Sequence, residues 1–271
     1  MLAPDAHQSM FFTRDDGGWL RYATAGAGGD PVVLIHGFGL DLHMWDPKWL
    51  AFAQRHRVIR YDLRGFGSSS LPEGTYSHVD DLLALMDFLG AGTAHLVGLS
   101  LGGRVALRVA AQAPGRVRSL TLADPAMDGH IWTADWLRRW RKMTDAAKSG
   151  DIGAAKKLWR EHILFEPANA QPAVADALRT MIDRYSGWHL HHEDPGTAPA
   201  VDAEALASMV AIPTLLLVGE RDIPDFQNIA RRLSRQLPAA ELHTIAGAGH
   251  MSNMEAPQAF NERVLEFLQR R

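Results

Sequence analysis

The sequence predicts an α/β fold: a mostly parallel, eight-stranded twisted sheet flanked by helices, with a helical insertion between the sixth and seventh strands. Three features predict it. Short apolar or β-branched runs alternate with helix-length amphipathic stretches, as in strands covered by crossover helices. Several runs lack polar alternation, Pro31-Val32-Val33-Leu34-Ile35 above all, which suits a strand buried on both faces. The alternation stops near Met127 and resumes after Val201, and five tryptophans fall in the gap: Trp132, Trp136, Trp140, Trp159 and Trp188.

Taken in order, residues 1–9 read as a loose leader with neither a basic start nor the apolar stretch of a signal peptide. Phe11–Thr13 and Trp19–Ala23 flank Asp15-Asp16-Gly17-Gly18, a hairpin signal. The run Pro31–Ile35 ends in His36-Gly37-Phe38-Gly39, and a helix is expected over Pro47–Gln54. Arg57–Tyr61 is the next strand. Val79–Leu89 places Leu82, Leu83, Leu85, Met86 and Leu89 on one helical face. A strand through Leu96-Val97 leads by a sharp turn into a helix over Gly102–Ala113. Val117–Leu122 is the sixth strand. Beyond the insertion come a strand at Thr214–Gly219, a helix near Asn228–Gln236, a strand at Ala240–Ile245 and a helix at Pro257–Gln269. The expected division is a core of residues 1–126 and 202–271 and a helical lid of 127–201.

The 271 residues suffice for one large domain with an insertion. A net charge of −3 provides no electrostatic drive toward nucleic acid or an anionic membrane. No apolar run reaches membrane-spanning length. The absence of cysteine excludes disulfides and thiolate metal sites. The expectation is a cytoplasmic protein that acts on a small molecule, with no metal and no cofactor.

The turn Gly98-Leu99-Ser100-Leu101-Gly102 stands between a strand and a helix, the setting of a nucleophile elbow. Its glycines let the two arms approach, and the following helix aims free N–H groups at the Ser100 hydroxyl. A serine hydroxyl is a weak nucleophile and needs a base, itself oriented by a third group. His250, in the glycine-rich Ala246–Met251 loop after the last strand, opens at the same sheet edge. Its ordinary pKa of about 6.5 suits general base work. The orienting acid should follow another strand: Asp222 in Gly219-Glu220-Arg221-Asp222 is preferred, with Asp124 and Glu220 as competitors. Backbone N–H groups of Phe38 and Leu101 are the expected donors to an oxyanion.

Other features have simpler readings. Asp62 and Arg64 are expected to form a structural ion pair within a turn. His189, His191, His192, Glu193 and Asp194 crowd one loop-like stretch without helical registry, which suits a solvated hinge better than a metal site. Trp132, Trp136 and Trp140 recur every four residues, so they share a helix face; with Trp188 they are candidate pocket walls.

Together His36–Gly39, Asp62–Ser69, Gly98–Gly103, Gly219–Asp222 and Gly249-His250 resemble the signposts of the α/β-hydrolase family over essentially the whole chain. The order Ser100, Asp222, His250 is that family's order. Asp41-Leu42-His43-Met44-Trp45-Asp46-Pro47, Val58–Asp62, Gly98–Gly103 and Gly249–Glu255 look most like 3-oxoadipate enol-lactonases and carboxylesterase-like serine hydrolases. The resemblance implies hydrolysis of a small ester or lactone through an acyl-enzyme. Alternatives with the same triad are hydrolysis of a carbon–carbon bond in a β-diketone-like acid and a cofactor-free perhydrolase; a non-catalytic, hormone-receptor-like binding member is a third. Dehalogenase and epoxide-hydrolase relatives carry aspartate where Ser100 stands, which disfavours those activities.

Overall fold

The computed structural model describes residues 10–46, 49–197, 201–202, 205 and 211–271. The leader over 1–9, Pro47 at the expected start of the first helix, and Pro199 lie outside the described residues. Eight strands form one sheet: β1 (Met10–Thr13), β2 (Trp19–Ala25), β3 (Val32–Ile35), β4 (Val58–Tyr61), β5 (Ala94–Leu99), β6 (Val117–Ala123), β7 (Thr214–Gly219) and β8 (Ala240–Ile245). Their spatial order is β1-β2-β4-β3-β5-β6-β7-β8. The β1–β2 and β2–β4 pairs are antiparallel and all others are parallel.

Burial follows that order. Val32, Val33, Leu34 and Ile35 of central β3 are completely buried, as a strand covered on both faces requires. Edge strands β1 and β8 keep mostly exposed or partly exposed residues. The flanking helices of the core are α1 (Trp49–Ala53), α2 (His78–Phe88) and α3 (Leu101–Gln112). α2 is started by the Ser77 side chain, which accepts the Asp80 N–H at 3.2 Å, and it buries Val79, Leu82, Leu85 and Met86. α3 buries small residues, among them Gly102, Gly103, Ala106 and Ala110, so it lies close against the sheet.

Between β6 and β7 the described residues hold no strand, and their α-helices include α4 (Ala134–Lys148), α5 (Ile152–Arg160), α6 (Glu166–Asn169), α7 (Pro172–Arg184) and α8 (Trp188–His191). α9 (Pro224–Gln236), α10 (Ser252–Glu255) and α11 (Pro257–Leu268) complete the chain. The sequence places the start of α9 near Asn228, at the first strongly periodic residues. The helix begins at Pro224 because proline suits a first turn, where no N–H is needed.

The parallel register brings the connecting loops to one edge. Ile35 pairs with Gly98, Leu99 with Ala123, Ala123 with Leu217, and Gly219 with Ile245. The chain therefore leaves β3, β5, β6, β7 and β8 at one carboxyl edge, where α/β sheets place their ligands. Asp62 and Arg64 leave β4 at that edge but do not pair with each other. Asp62 accepts N–H groups of Leu42 and Ser68 at 2.7 and 2.8 Å. Arg64 instead grips Asp81 of α2 at 2.8 and 2.9 Å and Asp16 at 2.9 Å. The turn folds over Asp62 so tightly that a Cβ on Gly67 would sit 2.2 Å from its Oδ2, and the cation beside Asp62 is Arg21, at 3.5 Å.

Candidate active site

Ser100 adopts φ 56° and ψ −113°, a strained conformation for a residue with a side chain. Its backbone is held on both sides: the N–H donates to Ala123 O at 3.0 Å, and the carbonyl accepts N–H groups of Arg104 and Ala126 at 3.1 and 3.0 Å. The glycines around it are sterically required. A Cβ on Gly98 would lie 2.3 Å from Gly102 O, and one on Gly102 would lie 2.1 Å from Ile35 O. These contacts press α3 onto β3 and β5 and leave Ser100 at the tip of the turn.

Leu101 is the first residue of α3, so its N–H has no helical acceptor. Phe38 lies in the loop after β3, where Gly37 passes so close that its Cβ would be 3.6 Å from Ser100 Cβ. Among the described residues, neither the Phe38 nor the Leu101 N–H donates to a protein acceptor. His36 braces this loop. Its Nδ1 is 2.8 Å from Gly37 O, and its Nε2 accepts the Leu63 N–H at 2.9 Å, which assigns the proton to Nδ1. Complete burial holds this ring below the usual imidazole range, so it stays neutral.

The loops after β7 and β8 are locked together. A Cβ on Gly219 would sit 2.0 Å from Gly249 O, and the Arg221 N–H donates to Ala248 O at 2.8 Å. Asp222 Oδ1 accepts the Ile223 N–H at 2.7 Å, and Oδ2 accepts from His250 Nδ1 at 2.9 Å. The His250 ring is 2% exposed and packs 4.2 Å from Phe226. Glu255, which the sequence reading does not single out, accepts the Gly249 N–H at 2.6 Å and the Met251 N–H at 2.9 Å, on either side of the histidine.

The competing carboxylates are occupied elsewhere. Glu220 turns outward and accepts the Gly247 N–H at 2.8 Å. Asp124 is buried below the pair: Oδ1 accepts the Gly219 N–H at 2.7 Å and Oδ2 accepts from Ser252 Oγ at 2.5 Å. One polar atom each of Asp124, Asp222 and His250 lies within 4.8 Å of the others. Burial raises both aspartates, and their mutual repulsion adds to the rise at Asp124. Burial lowers His250 to about 4, against the pull of Asp124 and Glu255. Ser100 and His250 line one small cavity. Among the described residues no hydrogen bond joins them, a common resting state for sites that tighten on substrate.

A larger cavity of about 450 Å³ opens over Ser100 and Leu101. Trp132, Trp136 and Trp140 form one wall, with Trp132 stacked on Trp136 at 4.5 Å. Trp159 of α5 and Phe226 of α9 complete this apolar end. The sequence reading does not assign Phe226 to the site; its place in the first turn after the Asp222 loop was the available signal. Trp188 does not belong to the cavity. It stacks on His192 at 4.9 Å, while the next residue of α8, His189, turns inward and lies flat on Phe66 at 4.2 Å. Adjacent helical residues point about 100° apart, and in α8 it is His189 that faces inward. The solvated-hinge expectation fails for the same reason at His189, which lines the cavity with Asp194.

Comparison with known proteins identifies the family of this fold. A family model described as alpha/beta hydrolase fold matches residues 30–257. The chain is 33% identical over 264 residues to the dihydrolipoyllysine-residue acetyltransferase component of an acetoin cleaving system from Pseudomonas putida; the match covers 92% of this chain and 66% of that protein. The chain thus spans just under two thirds of that relative. It is 28% identical to 3-oxoadipate enol-lactonase 1 of Acinetobacter baylyi, covering 93% of this chain and 94% of the relative. A thermophilic esterase from Thermogutta terrifontis superposes with a TM-score of 0.79 at 27% identity, covering 97% of this chain and 98% of the esterase. The chain belongs to the α/β hydrolase fold family, among relatives that include hydrolases of the esterase and enol-lactonase type.

Proposed function

We propose that the protein is a serine hydrolase that cleaves a small-molecule ester or lactone through an acyl-enzyme, with Ser100 as nucleophile, His250 as base and Asp222 as orienting acid. The observation that carries the reading is the 2.9 Å bond from His250 Nδ1 to Asp222 Oδ2 beside a strained, elbow-borne Ser100. That bond assigns the proton to Nδ1 and leaves Nε2 as an acceptor. Ser100 Oγ attacks the carbonyl carbon while its proton passes to Nε2. The tetrahedral oxyanion takes hydrogen bonds from the unclaimed N–H groups of Phe38 and Leu101. Collapse breaks the C–O bond, and His250 returns the proton to the leaving alkoxide. Water, deprotonated by the same nitrogen, then releases the acid and restores Ser100. In this reading residues 127–201 act as a lid and residues 1–126 and 202–271 as the catalytic core. The support is that α4 and α5 contribute walls to the cavity above Ser100.

The test is labelling with a fluorophosphonate and turnover of a panel of 4-nitrophenyl esters. Ser100→Ala should lose the label and at least about 10³-fold in kcat/KM while keeping its thermal stability. A folded Ser100→Ala protein that hydrolyses esters at the parent rate would refute the proposal. A parent that acylates once and turns over negligibly would instead favour a ligand-binding member of the fold.

A further inference from the structure

We infer that Trp159 and Tyr185 of the helical insertion are positioning residues, which hold the Phe38 ring and through it the backbone N–H that meets the oxyanion; this rests on the hydrolase reading of Ser100. Phe38 stands in a box of five aromatic rings. Phe66 of the turn after β4 supplies one, with centroids 5.5 Å apart. The insertion supplies the other four: Trp140 of α4 at 5.2 Å, Trp159 of α5 at 5.7 Å, Tyr185 just after α7 at 5.7 Å and His189 of α8 at 6.0 Å. All five meet Phe38 edge to face, at interplanar angles from 62° to 89°, the geometry that aromatic quadrupoles favour.

The loop's own backbone does little to fix this residue. Among the described residues neither the N–H nor the carbonyl of Phe38 bonds to protein, and the one backbone bond across it, Leu40 N–H to Gly37 O, is long at 3.3 Å. The side chain therefore sets where the N–H points. The next residue is held from the same side. Gly39 has φ 71°, and a Cβ there would lie 2.7 Å from Trp159 Nε1, so the indole edge rests on the loop backbone. That indole nitrogen is buried without a hydrogen bond among the described residues, a cost that ordinary core packing avoids. Trp159 also borders the small cavity shared by Ser100 and His250. Tyr185 is 2% exposed and lies outside the wall of the larger cavity, so its hold on Phe38 is separate from substrate contact. An oxyanion donor is worth most when it is aimed before the charge develops, and an error of an ångström in its place is costly. The insertion thus reaches the chemistry itself, in addition to walling the cavity.

The experiment compares inhibition by hexyl trifluoromethyl ketone with inhibition by the alcohol obtained on reducing it. Ser100 Oγ adds to the ketone carbon, its proton passes to His250, and the carbonyl oxygen becomes an alkoxide where the oxyanion would lie. The alcohol fills the cavity alike but cannot add, so the ratio of the two affinities reads the oxyanion donors apart from the cavity. Tyr185→Leu should lower that ratio and kcat together, by at least about tenfold, with KM for a 4-nitrophenyl ester within about twofold of wild type. Trp159→Phe keeps a ring against Phe38 but uncovers Gly39, and should lower the ratio by at least about threefold. It decides alone where Tyr185→Leu fails to fold. An unchanged ratio in the folded variants, with ketone and alcohol weakened equally or not at all, overturns the inference and leaves the hydrolase reading standing. A wild-type protein that turns over no ester and binds the ketone no better than the alcohol refutes the hydrolase reading, and the inference falls with it.

Discussion

Three buried carboxyl groups surround one imidazole, and each has a different task. Asp222 accepts the Nδ1 proton of His250, Glu255 ties down the backbone on both sides of that ring, and Asp124 links the Gly219 N–H to Ser252. Asp222→Asn should lower kcat by about 10⁴-fold, because an amide facing Nδ1 favours the wrong tautomer. Asp124→Asn should cost roughly tenfold or less, since it leaves the imidazole bond in place. If kinetics show Asp124→Asn to be the crippled variant, the acid follows β6 and the assignment is wrong. In the proposed mechanism His250 works as a base only when neutral, so activity should rise with pH through its pKa. An ordinary imidazole would put that limb near 6.5. Burial lowers His250 to about 4, so activity should persist well below pH 6. A kcat/KM profile with an acid midpoint near 6.5 would show that the ring is not held in this way.

At the scale of elements, the elbow depends on how closely α3 can approach β3. The approach is set by a missing side chain: a Cβ at position 102 would collide with Ile35 O at 2.1 Å and His36 O at 2.8 Å. Both are backbone atoms and neither can swing aside. Gly102→Ala should therefore displace β3 and the loop that follows it, which carries Phe38. The expected result is a loss of about 1–3 kcal/mol in stability, with a fall in kcat larger than that loss explains. Gly115→Ala is the control, because a Cβ there meets nothing within 4 Å. Thermal melts and kcat for the pair test the point, and similar behaviour of the two variants would discount it. The α4–α8 segment obeys a different rule. Its tryptophans at every fourth residue share a face, and that face turns toward the cavity above Ser100.

At the scale of the whole molecule, burial keeps six histidines below the imidazole range: His36, His78, His95, His162, His189 and His250. His95 isolates the consequence, since it lies near the start of β5, away from the site, with Nδ1 2.7 Å from Ser119 Oγ of β6. Its folded pKa is about 4. Unfolded, it titrates near 6.5. Between those values the unfolded chain binds more protons, so stability falls as pH drops through that window. His95→Asn should show a smaller loss of urea midpoint than wild type between neutral pH and about pH 4.5. Parallel losses in the two proteins would remove His95 from the account. Among the described residues no helix is long and apolar enough to cross a membrane.

The sheet and the elements that feed its edge are legible in the amino-acid pattern, because those signals are local. Apolar runs such as Val32–Ile35 mark buried strands, and Gly98 and Gly102 mark where two backbones must touch. The parallel register then follows from alternation with helices. Which of several similar residues meet across the fold is not a local matter. Asp124, Glu220 and Asp222 all follow strands at one edge, and their partners are chosen by how the β7 and β8 loops lock at Gly219 and Gly249. Trp188 and His189 are neighbours in sequence, and the packing of α8 on Phe66 sends only His189 inward. Asp128 is reached by both Arg104 and Arg108, and the fold gives its two short hydrogen bonds to Arg108 and leaves Arg104 at 4.0 Å. Such choices turn on differences of an ångström between residues far apart in the chain, which no local pattern encodes.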